Sequence, residues 1–287
     1  AYVSFMQKTP EEVDALFADL LIGVTSFFRD AEPFLALQDQ IVAPLLANRP
    51  AGTTIRIWVP ACSTGEEAYS IAMLFQEAME KSKQMVNVQI FATDIDERAI
   101  NVASTGLYPD SITADVSPER LSRFFIKEPD GAFYRIHKSI RDMMIFSKQD
   151  VVKDPPFSKL DFLSCRNLLI YMGAELQHKL ISIFHYALKT NGVLFLGTSE
   201  TIGELPDCFT MLDRKAKLYR RQAYSAATRG LDMTGFMPMP TYEARALGLP
   251  PSAKGGARGD QPLRELTEEA LLQQVAPSAV LVNDHGD

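Results

Sequence analysis

The chain has 287 residues, 46% of them hydrophobic and 23% charged, which suits one large domain or one domain with extensions. Its formal net charge of −7 disfavours a general nucleic-acid binder, because such proteins neutralise phosphates with a basic surface. Three cysteines are too few, and odd in number, for a disulfide framework, which predicts a reducing cytoplasm. No run approaches the roughly 18 apolar residues of a membrane span, so membrane insertion is not expected.

Strand and helix patterns alternate along most of the chain. The predicted helices cover Thr9–Leu21, Pro33–Leu46, Gly65–Lys81, Asp96–Ser104 and Gly173–Leu188, the last ending at an Asn191-Gly192 signal. The predicted buried strands cover Thr54–Pro60, Val88–Thr93, Leu160–Ser164 and Val193–Leu196. This alternation predicts a parallel sheet with helices on both faces.

Two regions depart from the alternation. Phe209–Leu212 and Ala216–Arg220 are joined by a segment too short for a crossover, which predicts a closing antiparallel pair. In residues 124–147, Phe133–Ile136 and Met143–Phe146 lie beside a turn signal and predict a small antiparallel β insertion.

The C-terminal part has a different composition. Prolines and glycines are dense in residues 222–262, which predicts a flexible linker without a core. Leu263–Gln274 has helical spacing, and Ser278–Asn283 is a β-prone run followed by a turn signal. We expect residues 263–287 to begin a further domain, and the chain to be an excerpt of a longer protein.

The first predicted strand runs into the turn Ala61-Cys62-Ser63-Thr64-Gly65 and then into Glu66 and Glu67. Ligands of open α/β sheets bind at the carboxyl ends of the strands. The turn lacks the G-x-G-x-x-G pattern of a dinucleotide cradle, and its two acids would repel a phosphate and favour an ammonium group or another cation. Alternatively, both acids only complement the dipole of the following helix.

The second predicted strand ends in Thr93-Asp94-Ile95-Asp96. An acid at this place can accept hydrogen bonds from both ribose hydroxyls, although Asp96 also suits a helix N-cap. A ribose-binding acid beside an acidic first turn favours S-adenosylmethionine, which carries an adenosyl group, an ammonium and a sulfonium.

Five segments in order and spacing resemble the CheR family of chemotaxis receptor methyltransferases. They are Leu21–Asp30 (LIGVTSFFRD), Trp58–Met73 (WVPACSTGEEAYSIAM), Phe91–Asp96 (FATDID), Phe162–Tyr171 (FLSCRNLLIY) and Gly192–Gly203 (GVLFLGTSETIG). The resemblance implies a Rossmann-like class I S-adenosylmethionine-dependent fold with a mostly parallel seven-stranded sheet, an antiparallel closing strand and a short N-terminal helical remnant. It also implies methylation of glutamate side chains in the cytoplasmic domains of chemoreceptors, with S-adenosylhomocysteine as the product.

The resemblance also implies the site residues. It places Glu66 near the methionine ammonium and Asp94 on the ribose. It places Asp150 and Val151 beside the adenine, and it matches Arg166 and Asn167 with the pair after the fourth strand. Thr25 and Arg29 match contacts to the cofactor and the reaction centre, and Tyr171 matches the aromatic residue near the transferred methyl.

Each of these roles has a simpler alternative. Arg29 could form a surface ion pair with Asp30 or Glu32, and Tyr171 could be a core aromatic residue. Because a glutamate substrate is ionised at neutral pH and a sulfonium is already charged, neither a general base nor a metal is expected. Cys62 and Cys165 are interpreted as buried small hydrophobic residues.

Several features differ from the family pattern. Gly23 stands where an asparagine is common, and the N-terminal segment is acidic where the family offers a basic face to receptors. The insertion lacks the glycine-bearing loop that docks a receptor pentapeptide, so no such tether is expected. Residues 263–287 resemble the start of a PAS domain, which suggests a parent protein that also carries a methylesterase and PAS domains.

The domain prediction is therefore a helical remnant and linker at 1–30, a methyltransferase domain at 31–221, a flexible linker at 222–262 and a PAS-like start at 263–287. Two other functions stay open: methylation of another substrate by a class I enzyme, and a cofactor-binding regulatory module without catalysis.

Overall fold

A computed structural model of the chain describes residues 2–9, 12, 13, 16, 19, 21, 23–47, 49, 50, 52–84, 86–203 and 205–223. The predicted PAS-like segment lies outside the described residues, as does the predicted linker apart from its first two positions. Of the predicted helix Thr9–Leu21, only scattered positions are described. In the part of the chain that is described, no helix is both long and apolar enough to span a membrane.

The structure contains eight α-helices among the described residues. They are α1 (Tyr2–Met6), α2 (Ala31–Leu37), α3 (Ala43–Ala47), α4 (Glu66–Ser82), α5 (Glu97–Thr105), α6 (Pro118–Phe124), α7 (Lys138–Arg141) and α8 (Ala174–Ala187). A π-helical segment, Gln38–Val42, joins α2 to α3, so the predicted helix over Pro33–Leu46 is confirmed with an altered middle. Asp96 accepts from the Arg98 amide at the start of α5, which confirms its predicted role as N-cap.

Ten strands form two sheets in the described part of the chain. They are β1 (Thr54–Pro60), β2 (Asn87–Asp94), β3 (Leu107–Pro109), β4 (Phe125–Lys127), β5 (Phe133–Ile136), β6 (Met144–Lys148), β7 (Leu160–Cys165), β8 (Leu188–Leu196), β9 (Phe209–Asp213) and β10 (Leu218–Arg221). The main sheet has seven strands in the order β6-β2-β1-β7-β8-β10-β9. β10 is antiparallel to both β8 and β9, which confirms the predicted closing antiparallel pair, and the other pairs of this sheet are parallel.

The central strand β1 explains how helices cover both faces of the main sheet. Because alternate residues of a strand point to opposite faces, Ile57 and Val59 pack into one apolar cluster with α4, whereas Trp58 packs into another with α8. The Trp58 indole N–H donates to the Thr93 hydroxyl at 3.0 Å, so its one polar atom is satisfied in the core. β1 is therefore buried from both sides, and its carboxyl end opens towards the site.

Two local predictions are wrong: the sheet to which Met143–Phe146 belongs, and the role of the Asn191-Gly192 pair. Met143–Phe146 corresponds to β6, which pairs in parallel with β2 in the main sheet and is not part of the insertion. The three-stranded insertion has the order β3-β5-β4, and its strand Leu107–Pro109 was not predicted. The predicted helix Gly173–Leu188 is confirmed as α8 with Gly173 and Leu188 as its caps, but Asn191 and Gly192 lie inside β8 and do not end the helix. The Asn191-Gly192 pair therefore marks an irregularity within a strand, with Asn191 at a φ of 66°.

Candidate functional site

A cavity of about 410 Å³ opens at the carboxyl ends of β1, β2 and β7. This volume lies in the usual range for small-molecule sites, and the place is the usual one for ligands of open α/β sheets. Eight of the nine predicted site residues line the cavity, and they are Thr25, Arg29, Asp94, Asp150, Val151, Arg166, Asn167 and Tyr171.

The turn after β1 forms the floor of the cavity in a strained conformation. Ala61, Ser63 and Gly65 have φ angles of 54°, 49° and 95°, all in the left-handed region. The Ser63 amide donates to an Asp94 carboxylate oxygen at 2.7 Å, which ties the β1 turn to the end of β2. The Ser63 hydroxyl donates to the Gly23 carbonyl at 3.0 Å, so the segment before α2 closes over the turn.

The two acids at the start of α4 face different surroundings. Both Glu66 carboxylate oxygens accept from the Thr64 hydroxyl, at 2.9 and 2.7 Å, and Glu66 does not line the cavity. Glu67 does line it: one oxygen accepts from the Ser164 hydroxyl at 2.7 Å, and the other lies 3.6 Å from an Arg166 nitrogen. The prediction that Glu66 faces the bound ligand is therefore not supported by this geometry, which places its neighbour there.

Burial changes the acidity of the carboxyl groups at the site. It raises the pKa of Glu67 above its usual value, while the nearby Arg166 guanidinium acts in the opposite direction. Burial likewise raises the pKa of Asp94, opposed by the hydrogen bonds from the Asp96 and Ser63 amides. A ligand cation would reverse part of this desolvation cost, since it favours the ionised form.

Arg166 links the core to the cavity. Its side chain is fully buried, forms a 2.9 Å ion pair with Asp30 and lies between the rings of Phe34 and Phe195, 5.1 and 4.9 Å from their centroids. Its Nε and one Nη have no hydrogen-bond partner among the described residues. Buried N–H groups without a hydrogen bond are costly; this Nη lies 3.6 Å from a Glu67 carboxylate oxygen, and a ligand carboxylate would give it a hydrogen-bond acceptor.

Thr25 and Arg29 are held over the cavity by two aromatic anchors. Phe27 and Phe28 are buried, and the Phe28 amide donates to the Ser70 hydroxyl of α4 at 3.0 Å. Arg29 donates to the Val24 carbonyl at 3.0 Å. The alternative of an ion pair from Arg29 to Asp30 is not what the structure shows, because Asp30 pairs with Arg166.

Tyr171 stands at the rim of the cavity. It ends a short 3-10 turn, Leu169–Tyr171, and its side chain is 58% exposed. The alternative of a core aromatic residue is therefore wrong. Asn167, two residues after β7, has a φ of 61° and lines the same side of the cavity.

The far end of the cavity is formed by the loop after β6. The Asp150 carboxylate accepts from the Val152 amide at 3.0 Å, and the Asp150 amide donates to Asp154 at 2.8 Å. Sequence reasoning missed Gln149, whose backbone N–H donates to the Asp94 backbone carbonyl at 2.9 Å. Its buried side-chain oxygen has no partner among the described residues, although its Nε2 donates to the Pro155 carbonyl. No sequence motif distinguishes this glutamine from a surface residue.

Cys62 also lines the cavity and was predicted only as a buried hydrophobic residue. Cys62 and Cys165 are both buried, which confirms that prediction. Burial raises the pKa of the Cys62 thiol well above its usual value, and Asp94 adds to the effect, so no thiolate forms near neutral pH. Within the described residues, no group of three or more His, Cys, Asp or Glu is arranged to hold a metal ion.

Comparison with known proteins places this architecture in a family. Residues 23–218 match the family model described as "CheR methyltransferase, SAM binding domain". An uncharacterized 104.1 kDa protein from Rhodobacter capsulatus is 34% identical in an alignment 289 positions long, which covers 99% of this chain and 29% of that protein. The chain therefore spans less than a third of the length of that relative.

Two shorter relatives match the same region. Chemotaxis protein methyltransferase 1 of Pseudomonas aeruginosa is 35% identical over 193 residues, 66% of this chain and 69% of that protein. Chemotaxis protein methyltransferase 2 of Vibrio cholerae serotype O1 is 32% identical over 211 residues, 72% of each. The matched region contains the whole seven-stranded sheet up to the start of β10 and every residue of the cavity except Leu21. The chain belongs to the CheR methyltransferase family, and residues 23–218 are its S-adenosylmethionine-binding domain.

Proposed function

We propose that this chain transfers a methyl group from S-adenosylmethionine to glutamate side chains of chemoreceptor cytoplasmic domains by direct displacement. The observation that carries the proposal is a cavity that combines carboxylates suited to an ammonium and a ribose with guanidinium groups suited to carboxylates. Relatives named chemotaxis protein methyltransferases support the choice of substrate. The proposed substrate is cytoplasmic, which supports a cytoplasmic location for the chain.

The residues present fit S-adenosylmethionine. Asp94 has carboxylate oxygens available to ribose hydroxyls, and Glu67 offers a carboxylate to the ammonium group in the place first assigned to Glu66. The Arg166 Nη that has no hydrogen-bond partner among the described residues suits the carboxylate of the methionine part. Gln149, Asp150 and the apolar Val151 would surround the adenine.

When bound, S-adenosylmethionine supplies an electrophilic methyl group on a positively charged sulfonium. The chain's own residues then have to align a carboxylate and exclude water. Arg29, at the cavity rim, can hold the incoming glutamate with its planar fork, and Tyr171 restricts its approach. Since the ordinary pKa of glutamate is about 4.3, the substrate arrives ionised at neutral pH and no residue has to remove a proton.

The proposal is tested by incubating the full chain with methyl-labelled S-adenosylmethionine and isolated receptor cytoplasmic domains. We expect label on the receptor that base releases as methanol, as a glutamyl methyl ester requires. Tight binding of S-adenosylhomocysteine without any transferred label would contradict the proposal and favour a regulatory module. Label that base does not release would favour a class I methyltransferase acting on another group.

Two variants of the same assay test the roles within the site. Asp94→Ala should weaken cofactor binding about tenfold or more, because the lost carboxylate also holds the β1 turn. Arg29→Ala should mainly lower turnover, with cofactor affinity changed only a few fold. Equal losses of affinity in both variants would contradict these assignments.

For residues 222–287 we propose a linker followed by the start of a PAS-like domain in a longer parent protein that also carries a methylesterase domain. The Rhodobacter protein supports a longer parent, because 99% of this chain aligns with only 29% of that relative. The turn Glu128-Pro129-Asp130-Gly131 of the insertion differs from the glycine-bearing loop that docks a receptor pentapeptide, which supports methylation without such a tether.

A further inference from the structure

A carboxylate outside the cavity has an unusual set of partners. Glu200 is 3% exposed and lies in the loop after β8. One of its oxygens accepts from the Leu169 amide at 2.7 Å, and the other accepts from the amides of Gly197 and Asn167 at 2.6 and 3.0 Å. No ion pair to Glu200 forms among the described residues, so backbone N–H groups are its main partners.

The three donors lie in the loops that follow two neighbouring strands of the main sheet. Gly197 follows β8, whereas Asn167 and Leu169 belong to the loop after β7. Because β7 and β8 are parallel, their carboxyl ends meet at the edge where the cavity opens, and Glu200 joins them there. Glu200 itself does not line the cavity.

The loop that Glu200 holds carries three residues of the proposed site. Arg166 precedes Asn167, and Tyr171 follows Leu169 by two positions. Asn167 has a φ of 61°, a left-handed conformation that asparagine adopts more readily than other residues with a side chain, so it suits the bend of this loop. The backbone N–H groups of Asn167 and Leu169 would lose this hydrogen-bond acceptor if Glu200 were replaced.

Gly197, at the start of the loop that carries Glu200, also fits this arrangement. A Cβ atom at Gly197 would lie 2.7 Å from a Glu200 carboxylate oxygen and 3.0 Å from the Asn167 nitrogen. The first approach is closer than van der Waals contact allows and the second is tight, so a Cβ atom here would push the Glu200 carboxylate away from its donors. Glu200 and Gly197 therefore act as one unit.

We propose that Glu200 is a positioning residue for methyl transfer: its carboxylate fixes the loop from Arg166 to Tyr171 in the conformation that binds the cofactor. The inference rests on the proposed function for its role in turnover, but its effect on the loop and on cofactor affinity is independent of the methyl acceptor.

The test compares Glu200→Gln with a control substitution of another buried carboxylate, which lies in the neighbouring strand β7. Glutamine keeps the volume but replaces one carboxylate oxygen with an NH2 group, so at least one backbone N–H then faces a donor. Asp161→Asn is the control, because Asp161 is also buried and accepts from the Arg56 backbone N–H and from the Arg49 and Lys189 side chains at the opposite end of β7. Both variants are assayed in the full chain, well below their unfolding temperatures.

We expect Glu200→Gln to weaken S-adenosylhomocysteine binding about tenfold or more and to speed hydrogen exchange at the Asn167 and Leu169 amides. Asp161→Asn should lower the unfolding temperature and leave that affinity unchanged. Unchanged affinity in Glu200→Gln, or an equal loss in Asp161→Asn, would overturn the proposal.

Two further measurements keep the proposal testable if Glu200→Gln does not fold. Gly197→Ala displaces the carboxylate by another route and should give the same loss of affinity and protection. In the unaltered chain, the Asn167 and Leu169 amides should exchange slowly, and fast exchange there would overturn the proposal. A chain that binds S-adenosylhomocysteine but methylates no receptor would contradict the proposed function alone.

Discussion

At the scale of single residues, the adjacent acids Glu66 and Glu67 should differ in function. Glu67→Gln should weaken S-adenosylhomocysteine binding about tenfold to a hundredfold, because it removes a charge-assisted contact of roughly 1.5–3 kcal/mol from the cavity. Glu66→Gln is the matched control and should change affinity only a few fold, since Glu66 bonds to Thr64 instead. Titration calorimetry measures both. A larger loss in Glu66→Gln would restore the assignment made from sequence.

The same pair shows what the sequence could and could not predict about the site. The motif places an acid at the start of α4, but adjacent helical residues point about 100° apart. Which of them reaches the cavity depends on the left-handed turn at Gly65, which no pattern specifies. Asp94 was predicted because it is an acid at the end of the second predicted strand and matches the family residue on the ribose. Gln149 was missed because its role comes from the backbone of β2, which is distant in sequence.

At the scale of elements, the β1-α4 turn depends on Gly65. Its φ is 95°, and a Cβ atom would lie 2.9 Å from the Ala103 Cβ of α5 and 3.2 Å from the Tyr108 hydroxyl. Gly65→Ala should therefore lower the free energy of unfolding by about 2–4 kcal/mol, from backbone strain and overpacking together. Urea denaturation measures the change.

Gly203→Ala separates the two causes. Gly203 also has a positive φ, 62°, but nothing lies within 4 Å of its added Cβ. Gly203→Ala should lower the free energy of unfolding by about 1–2 kcal/mol, from backbone strain alone. If both variants lost the same stability, the contact with α5 would not constrain the turn.

Strands were predicted correctly where the length and composition of the run were enough to identify them. The prediction failed where the partner strand is distant in sequence. Thr54–Pro60 was predicted with its observed bounds, because a β-branched apolar run of this length suits a strand buried on both faces. Met143–Phe146 was correctly predicted as a strand but assigned to the wrong sheet. A short apolar run does not specify its partner, and β6 reaches the edge of the main sheet only after the whole insertion has been traversed.

At the scale of the whole molecule, stability should depend on pH through a histidine far from the cavity. His185 lies on α8, is 2% exposed and packs edge-on against Phe209, with its Nε2 3.2 Å from the Gln222 carbonyl. Burial, with a smaller contribution from Arg221, lowers its pKa from 6.5 to about 4. Between these values the unfolded chain binds a proton that the folded chain does not, so stability falls as pH decreases.

The buried acids contribute with the opposite sign. Burial raises the pKa of Glu66, Glu67 and Asp94, so over part of the acidic range the folded chain keeps protons that the unfolded chain has released. Their contribution to stability therefore increases as pH falls. The pH dependence of the intact chain is the sum of both effects, and only a difference between two variants isolates the histidine.

His185→Gln provides that difference, because a glutamine Nε2 can replace the ring nitrogen as donor to the Gln222 carbonyl and does not titrate. Relative to this variant, the unaltered chain should lose about 3 kcal/mol of unfolding free energy as pH falls from about 6.5 to about 4, and nothing above pH 7. Urea denaturation at a series of pH values measures both curves, and the acids cancel in the comparison. Parallel curves across this interval would show that His185 is protonated equally in the folded and unfolded chains.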